Sequence, residues 1–481
     1  MGRADVGTVY VDGAFVAPVL GTTAVLVDPS TEEVLGTAAL GTAEDVDAAV
    51  SAAQAALPAW SALSFSERAD VVDRFVDAWL ARSEDVASSV SREMGMPIAM
   101  SRLTNGTGAA MTMRYYADLG RSLQAEEERT PMFFEGTSVV RRVPVGVVAA
   151  IAPWNYPCQL IATKVGPALV AGCTVILKPP VENALTAHLL ATLAHEAGVP
   201  AGVLNIVPGD AGFGEALVAD PRVASVAFTG STAVGRRIGA VVGERLGACN
   251  LELGGKSAAI VLDDADLDAV VPVLAPLAWR NSGQTCFAQT RIVATPGIHD
   301  ALVERLAAWA REQVLGGAFD EATTLGPLAT ERQRDNVRRR IADGVALGAT
   351  VAAGGPDADV PSTGYFVAPT LFTDVDNSWS IAQEEIFGPV VCVIRADDED
   401  DAVRIANDSE YGLAGSVWTR DLERGAALAR RVEAGTVGVN GYRPDMSSPF
   451  GGIKASGTGR ENGPEGLAPF LRSDSLYLFA S

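Results

Sequence analysis

The fold of this chain is indicated by the stretch VGVVAAIAP at residues 145–153, a short apolar run that ends in proline. Three runs of the same kind follow it: CTVILKPP at 173–180, LNIVPG at 204–209 and VASVAFTGS at 223–231. Helical patterns lie between them, at 184–197 and 213–219. Because apolar strands that alternate with helices form parallel sheets covered on both faces, the sequence predicts an α/β fold.

A second alternating region follows in the C-terminal half, with the apolar run SAAIVLDD at 257–264 and helical patterns at 301–315 and 331–347. We therefore expect two α/β lobes. Two strand patterns lie outside these lobes, at 138–143 and 473–480. Such strands pair between subunits or form a plain sheet edge, and the sequence alone leaves both alternatives open.

Two helical patterns precede the first lobe's strands, at 43–59 and 66–93, where apolar residues recur at intervals of three and four. Thr42, with Asp45 three residues later, has the spacing of a capping box. We expect the helices to begin at Thr42 and Ser66.

Length, composition and charge restrict the class of protein. A chain of 481 residues with 48% hydrophobic and 20% charged residues is long enough for about three domains and apolar enough to fold. The 37 basic and 59 acidic residues give a net charge of −22, which opposes binding to nucleic acid or to an anionic membrane. We expect neither as a partner.

One uncharged segment, residues 143–163, is long enough on paper to cross a bilayer. It contains Pro144, Pro153 and Pro157 among polar side chains, so we expect buried strands and turns instead. The first 13 residues contain no apolar stretch of signal-peptide length.

Five cysteines and three histidines restrict the chemistry further. The cysteines are odd in number and scattered without a CxxC pair, which favours reduced thiols and a cytoplasmic location. Three histidines are too few to make an imidazole metal site a good candidate, so no metal is expected. They also give little support to a Ser-His-Asp triad.

Familiar phosphate motifs fail at the decisive positions. GKS at 255–257 resembles the end of a P-loop, but the glycine required five residues earlier is Asn250. No GxGxxG follows a strand. A turn at Gly230, with Ser231 able to cap a helix, remains a candidate phosphate site, and Lys178 at a strand end is a candidate ligand contact. A structural turn and a solvent-facing lysine are the plain alternatives.

Cys286 in NSGQTCFAQ, residues 281–289, and Glu252 in NLELGGKS, residues 250–257, are candidates for a nucleophile and its base. An ordinary thiol has a pKa of about 8.5 and needs activation. A carboxylate between apolar residues can have its pKa raised toward that of a useful base. Taken singly, a core cysteine and a strand-end carboxylate are the ordinary interpretations.

Two further tracts add polar groups to this set. Asn155 in APWNYP, residues 152–157, lies between prolines and aromatics, a rigid setting for an amide that could donate to an oxyanion. EEIFGP at 384–389 sets two carboxylates beside an aromatic residue and a turn.

The motifs occur in a fixed order over almost the whole chain: APWNYP, LKPP, FTGS, ELGGK, GQTC, EEIFGP and SPFGGIKASGTGRE. This series closely resembles the aldehyde dehydrogenase superfamily, and the 34 residues between Glu252 and Cys286 fit the family's spacing of base and nucleophile.

The resemblance implies an α/β fold of the aldehyde dehydrogenase type, built from three parts. A Rossmann-like NAD(P)-binding domain is assigned to residues 1–121 and 143–254, and an α/β catalytic domain to 255–455. A small oligomerisation flap is assigned to 122–142 and 456–481, which implies a homodimer or homotetramer.

The implied reaction is the NAD(P)+-dependent oxidation of a small-molecule aldehyde to the carboxylic acid, through a cysteine thiohemiacetal and a thioester. Cys286 would attack the carbonyl, Asn155 would bind the oxyanion, and Glu252 would activate the water that hydrolyses the thioester. Lys164 matches a lysine associated with the proton path.

The resemblance assigns the cofactor contacts to Trp154, Lys178, Gly230, Ser231, Leu253, Glu385 and Phe387. Members that prefer NAD often carry a glutamate three residues after the lysine, where it binds the ribose hydroxyls. This chain has Val181 there, and Glu182 follows one residue later. The expected cofactor is NAD or NADP, with NAD favoured because a small shift of the turn would let Glu182 substitute.

Substrate contacts are implied at Arg280, which matches an arginine that holds the carboxylate of succinic semialdehyde. Succinic semialdehyde dehydrogenases commonly carry a second arginine just before the lysine that corresponds to Lys164, and this chain has Thr163 there. Three aromatic residues are assigned to the same pocket: Tyr156, Phe287 and Phe450. A semialdehyde and a general aliphatic or aromatic aldehyde are both compatible with this set.

Two other classes of protein compete with this interpretation. A Cys-His hydrolase would need a histidine against Cys286, and only His299 is near in sequence. A non-catalytic binding protein that kept the fold would not need nucleophile, base and oxyanion donor together. A coenzyme A-acylating relative is disfavoured by Glu252, which points to water as the acyl acceptor.

Overall fold

The computed structural model describes residues 4–480. The strands are β1 (Ala4–Val6), β2 (Val9–Val11), β3 (Ala14–Val16), β4 (Thr23–Val27), β5 (Val34–Ala39), β6 (Glu126–Arg129), β7 (Gly136–Pro144), β8 (Val147–Ile151), β9 (Thr174–Lys178), β10 (Leu204–Ile206), β11 (Val223–Thr229), β12 (Ala248–Glu252), β13 (Ala258–Val261), β14 (Arg291–Ala294), β15 (Thr350–Ala353), β16 (Thr370–Thr373), β17 (Val390–Arg395), β18 (Tyr411–Gly412), β19 (Ala414–Trp418), β20 (Thr436–Val439), β21 (Ile453–Lys454), β22 (Gly457–Thr458) and β23 (Leu471–Phe479).

The α-helices are α1 (Val46–Ser61), α2 (Phe65–Ala81), α3 (Ser83–Met94), α4 (Ile98–Ser101), α5 (Ala109–Ser122), α6 (Pro157–Ala171), α7 (Ala184–Glu196), α8 (Ala211–Ala219), α9 (Thr232–Glu244), α10 (Leu267–Ala278), α11 (His299–Arg311), α12 (Glu331–Ala346), α13 (Ser380–Gln383), α14 (Glu399–Asn407), α15 (Leu422–Ala429) and α16 (Gly463–Leu467). A π-helical segment, Arg102–Gly108, lies between α4 and α5.

The apolar runs at 145–153, 173–180, 204–209 and 223–231 form the centre of an eight-stranded sheet. Its order is β22-β12-β11-β8-β9-β10-β2-β3. The strands from β12 to β10 are parallel, and β22, β2 and β3 add antiparallel edges. All five residues of β8 are buried, as expected of a strand with helices on both faces. The predicted α/β fold is confirmed.

A seven-stranded sheet carries the C-terminal half, in the order β15-β16-β17-β14-β13-β19-β20. It is parallel except for β15, which pairs antiparallel with β16. The carboxyl ends of β8, β9, β11 and β12 in the eight-stranded sheet lead into four of the motifs, whereas GQTC and EEIFGP come before β14 and β17, at the amino ends of strands in the seven-stranded sheet.

The two strands outside the lobes pair with each other. β23 lies antiparallel to β7 over nine residue pairs, from Leu471 opposite Pro144 to Phe479 opposite Gly136, and β6 covers the other side of β7. The segment assigned to the flap also contains β22, which belongs to the eight-stranded sheet instead.

The prediction for the helical pattern at 66–93 is wrong in two respects. The helix expected to start at Ser66 begins at Phe65, because the Ser64 hydroxyl accepts from the Glu67 N–H and the Glu67 carboxylate accepts from the Ser64 N–H. The pattern at 66–93 is also two helices, since the chain breaks at Arg82.

The second correction concerns residues 143–163, where strands and turns were expected. β8 ends at Ile151, but Pro157 then opens α6, because a proline in the first helical turn has no hydrogen bond to lose. Within residues 4–480 no helix has the length and apolar character needed to cross a membrane.

Candidate active site

Cys286 lies on the segment between α10 and β14, at a cavity of about 330 Å³. Five of the predicted site residues line the same cavity: Asn155, Tyr156, Arg280, Phe287 and Phe450. Most of the cavity's surface is apolar, and Leu103, Met111, Leu160, Pro444 and Met446 contribute to it. Six further polar or charged residues also line the cavity: Thr104, Gln159, Thr163, Arg443, Glu461 and Asn462. The structure therefore brings the candidate nucleophile and the candidate oxyanion donor to one cavity, although 131 residues separate them.

The chain reaches Cys286 through a left-handed turn. Asn281, Ser282 and Gly283 have φ of 52°, 55° and 74° in succession. A Cβ on Gly283 would lie 1.9 Å from the carbonyl oxygen of Gly388, so no larger residue fits there. Strained backbone of this kind persists only where surrounding contacts hold it. Here the Ser282 hydroxyl donates to the Gly326 carbonyl at 2.7 Å.

Two amides tie the loop after β8 to the turn before Cys286. Asn155 Nδ2 donates to the Gln284 carbonyl at 2.9 Å, and Asn281 Nδ2 donates to the Asn155 carbonyl at 3.1 Å. Asn155 is buried, and its amide carries a second N–H beyond the one that binds Gln284. Asn155 and Cys286 line the same cavity, so that donor is available to a group bound there.

Glu252 is the last residue of β12 and is buried, and the backbone N–H of Gly452 is close enough to lower the pKa of its carboxyl. Burial raises the pKa of this carboxyl well above its usual range, and the Glu461 carboxylate raises it further against the opposing effect of Lys164. A carboxylate with a raised pKa is a better proton acceptor than an exposed one.

Lys164 forms a buried ion pair that the motifs did not predict. Its Nζ donates to Glu461 Oε1 and to Thr229 Oγ1, each at 2.5 Å. Glu461 also lines the cavity at Cys286. It is not among the predicted site residues, although it ends the motif SPFGGIKASGTGRE, because nothing in that motif indicates its distant partner.

Burial also raises the pKa of the Cys286 thiol above its usual range, and the carboxylates of Glu385 and Glu252 add to the shift. The thiol is therefore neutral at rest and must lose a proton before it can attack. No histidine is among the described residues that line this cavity. His299 is buried elsewhere, with Nδ1 at 2.8 Å from Asp300 and 2.9 Å from Arg395.

A second cavity, of about 350 Å³, lies between α8 and α9 at the end of β9. Its wall includes Lys178 together with apolar side chains from Ile151, Val218, Phe228, Val234 and Ile238. Lys178 is mostly buried, which lowers the pKa of its ammonium, and the carboxylates of Glu182 and Asp210 oppose that shift. A flat apolar group such as adenine, with a polar group at Lys178, fits this wall.

The predicted phosphate turn lies beside the second cavity. Ser231 caps α9 by accepting from the Val234 N–H at 3.4 Å, so the N-terminus of this helix can attract an anion. A Cβ on Gly230 would lie 2.5 Å from the Phe228 ring, which excludes larger residues in this turn. Ser231 and Gly230 therefore fit a dinucleotide pyrophosphate.

The remaining cofactor candidates form three contacts. Glu385 Oε1 accepts from the Gly255 N–H at 3.1 Å, and burial raises the pKa of Glu385 to about 7. The rings of Trp154 and Phe387 meet edge to face, with centroids 5.3 Å apart. Leu253 is buried and donates its backbone N–H to the Ser456 carbonyl at 3.0 Å.

Aromatic side chains shape the wall near Cys286. The Phe287 ring lies 5.5 Å from Tyr442 and 6.2 Å from Phe450, measured between centroids. Tyr442 was not predicted, since it lies outside all of the motifs. The Tyr156 hydroxyl lies 2.8 Å from Thr285 Oγ1.

Arg280 and Arg443 are the cationic members of the wall, and Arg443 is exposed. The Arg280 Nε is buried and has no hydrogen-bond partner among the described residues. Thr163, at the position where succinic semialdehyde dehydrogenases commonly carry a second arginine, also lines the cavity.

Comparison with known proteins agrees with this geometry. A model described as "Aldehyde dehydrogenase family" matches residues 15–476. Among similar proteins, a geranial dehydrogenase of Castellaniella defragrans is 47% identical over 472 residues, which is 98% of each chain. A 3-succinoylsemialdehyde-pyridine dehydrogenase of a Pseudomonas species is 40% identical over 469 residues, 96% of each chain.

Solved structures agree with the fold over the whole chain. A crystal structure of Mycobacterium tuberculosis aldehyde dehydrogenase complexed with NAD+ superposes with a TM-score of 0.96 at 42% identity, covering 99% of each chain.

Proposed function

Because the chain belongs to the aldehyde dehydrogenase family and is an NAD(P)-dependent aldehyde dehydrogenase, we propose that it oxidises aldehydes with an apolar aliphatic or aromatic body and uses NAD+. The observation that carries the substrate class is the mostly apolar wall of the cavity at Cys286. The relative with 47% identity is named for geranial, an aldehyde with an apolar body, which supports the same class.

The proposed nucleophile is Cys286. Its thiol gives its proton to the Glu252 carboxylate, which is near enough to shift the pKa of the thiol, and Glu252 passes that proton on toward the Lys164–Glu461 pair. The resulting thiolate forms a C–S bond to the carbonyl carbon of the aldehyde. The π electrons of the carbonyl move onto its oxygen, and the free N–H of Asn155 Nδ2 donates to the developing oxyanion. The hydrogen bond to Gln284 holds the Asn155 amide in place before the substrate arrives.

We assign the cofactor's adenosine to Lys178, its pyrophosphate to Gly230 and Ser231, and its second ribose to Glu385 and Phe387. When bound, the nicotinamide ring supplies the hydride acceptor that converts the tetrahedral adduct into a thioester. The Trp154–Phe387 contact and buried Leu253 support the wall on this side.

Glu252 is the proposed base for thioester hydrolysis. It takes a proton from water, the resulting hydroxide attacks the acyl carbon, the C–S bond breaks and the electron pair returns to Cys286 as thiolate. The buried Lys164–Glu461 pair is near enough to shift the pKa of Glu252, which supports its assignment to the path by which that proton leaves.

This assignment predicts the pH dependence of turnover. Below the raised pKa of Glu252 the carboxyl is protonated and cannot accept a proton from water. We therefore expect kcat to fall on the acid side with a midpoint well above the usual 4.5 of glutamate. Glu252→Gln should lower kcat and remove this limb. The test is to measure kcat against pH for the wild-type enzyme and for Glu252→Gln. An identical fall of kcat on the acid side in the variant would contradict the role of Glu252 as the base.

The preference for NAD over NADP rests on Glu182. Its carboxylate interacts electrostatically with Lys178, as does that of Asp210. A negative charge there repels a 2′-phosphate but accepts hydrogen bonds from ribose hydroxyls. The similar structure crystallised with NAD+ supports the same preference.

One assay tests both the substrate class and the cofactor. We expect reduced cofactor to form with alkanals and aromatic aldehydes, with kcat/KM higher for NAD+ than for NADP+. Short aldehydes that end in a carboxylate should react more slowly. The competing substrate class is a semialdehyde bound by Arg280, whose buried Nε is unpartnered. If the wild-type enzyme prefers a semialdehyde and Arg280→Gln loses that preference, the substrate is a semialdehyde whose carboxylate binds Arg280, and our proposal is wrong.

We also infer that the chain forms a homodimer or homotetramer through the sheet of β6, β7 and β23. Large apolar side chains of this region are exposed, including Met132, Phe133, Tyr477 and Phe479. Exposed apolar patches of this kind are typical of subunit contacts. The five free cysteines support a location in a reducing compartment such as the cytoplasm.

A further inference from the structure

Two apolar side chains on the cavity wall are exposed to solvent. Leu103 is 75% exposed and Met111 is 47% exposed, and both line the cavity that contains Cys286. Single exposed apolar residues are ordinary on protein surfaces, but these two line the same cavity as the candidate nucleophile. We call Leu103 and Met111 the lip.

The lip is built on an irregular helix. Residues 102–108 form a π-helical segment, in which the Ala109 N–H donates to the Thr104 carbonyl five residues earlier. A Cβ on Gly108 would lie 2.5 Å from the Leu103 carbonyl oxygen, so this turn depends on glycine. Wide turns of this type are frequent at functional sites.

The same segment is anchored to the helix that carries the catalytic wall. Asn105 is fully buried, and its Oδ1 accepts from the Cys158 N–H at the start of α6 at 3.2 Å. Helix α6 also carries Leu160 and Thr163, which line the cavity. Leu103 is thereby held in a defined position relative to the inner wall, although its side chain is in solvent.

We propose that the lip binds the distal carbons of long-chain aldehydes and so sets the enzyme's chain-length preference. This inference rests on the proposed function, since it needs an apolar aldehyde bound with its carbonyl at Cys286. A short alkanal would fill only the inner cavity. A tail that reaches Leu103 and Met111 would remove both the tail and the lip from water.

The test is a chain-length series of unbranched alkanals from butanal to decanal, measured as kcat/KM with saturating NAD+. Each methylene removed from water is worth about fourfold in affinity. We expect Leu103→Ser to lower kcat/KM for decanal by about 10-fold and to leave butanal within about twofold. Met111→Ser should also lower kcat/KM for decanal. Leu103→Met, which keeps an apolar side chain, should retain the wild-type preference for decanal over butanal.

Leu422→Ser is the matched control, since Leu422 is 64% exposed at the start of α15 and does not line this cavity. It should leave the whole series unchanged. Equal losses for butanal and decanal in Leu103→Ser would overturn the inference, as would a wild-type preference for a decanal analogue with a distal carboxylate. If the wild-type enzyme oxidises aromatic aldehydes but no alkanal, the inference fails alone; if it oxidises no apolar aldehyde, the proposed function fails with it.

Discussion

Replacing Cys286 with alanine should lower aldehyde oxidation by at least about 10⁴-fold, because the variant cannot form a covalent adduct with the aldehyde. The measurement is the rate of reduced nicotinamide formation at saturating aldehyde and NAD+. The fold should survive, since the thiol is half-buried and the turn before it is held by Ser282 and Asn281 rather than by the cysteine. Binding of NAD+ should also survive, because the second cavity does not include Cys286.

Cys249→Ala is the matched control for this experiment. Cys249 is also a half-buried free cysteine, but it lies in β12 and lines neither cavity. It should keep wild-type turnover. Activity of Cys286→Ala within about 10-fold of wild type would remove this residue from the role of nucleophile.

Asn155→Ala should lower kcat by roughly 10²- to 10³-fold, the usual cost of losing one oxyanion donor. The loss should fall on kcat rather than on KM, because the donor acts on a charge that develops only in the transition state. The variant also loses the hydrogen bond to the Gln284 carbonyl. Steady-state kinetics, together with thermal unfolding, separates lost catalysis from lost structure.

A buried hydrogen bond of this kind contributes on the order of 1 kcal/mol, so the melting temperature of Asn155→Ala should fall by only a few degrees. Wild-type kcat in this variant would contradict the oxyanion role. A large drop in melting temperature with unchanged kcat would assign Asn155 to holding the two lobes together instead.

Much of the fold could be predicted because its signals are local. The apolar runs at 145–153 and 173–180 became β8 and β9, since a strand buried on both faces must be apolar throughout. Helix starts were less secure. The pattern predicts a start at Ser66, but Ser64 is the cap, because only Ser64 has a glutamate, Glu67, three residues later.

The candidate site was predictable where a residue carries its chemistry in its own motif, as Cys286 and Asn155 do. It was not predictable where the function lies in a contact. Nothing local to Glu461 indicates that its carboxylate meets Lys164, and nothing local to Leu103 indicates that a π-helical turn holds it at a cavity. Such contacts depend on how distant segments pack, which single motifs do not encode.

The buried Lys164–Glu461 pair has a consequence for the order of assembly. The two residues are separated by 297 positions, and the ribosome synthesises Lys164 long before Glu461. Until Glu461 has been made, Lys164 can pair only with the Thr229 hydroxyl, and a buried lysine without a carboxylate partner is costly. The cavity at Cys286 also lacks part of its wall until residue 461 arrives. A reactive thiol is thus completed only when nearly all of the chain has been made, so truncated products are expected to be inactive as well as unstable.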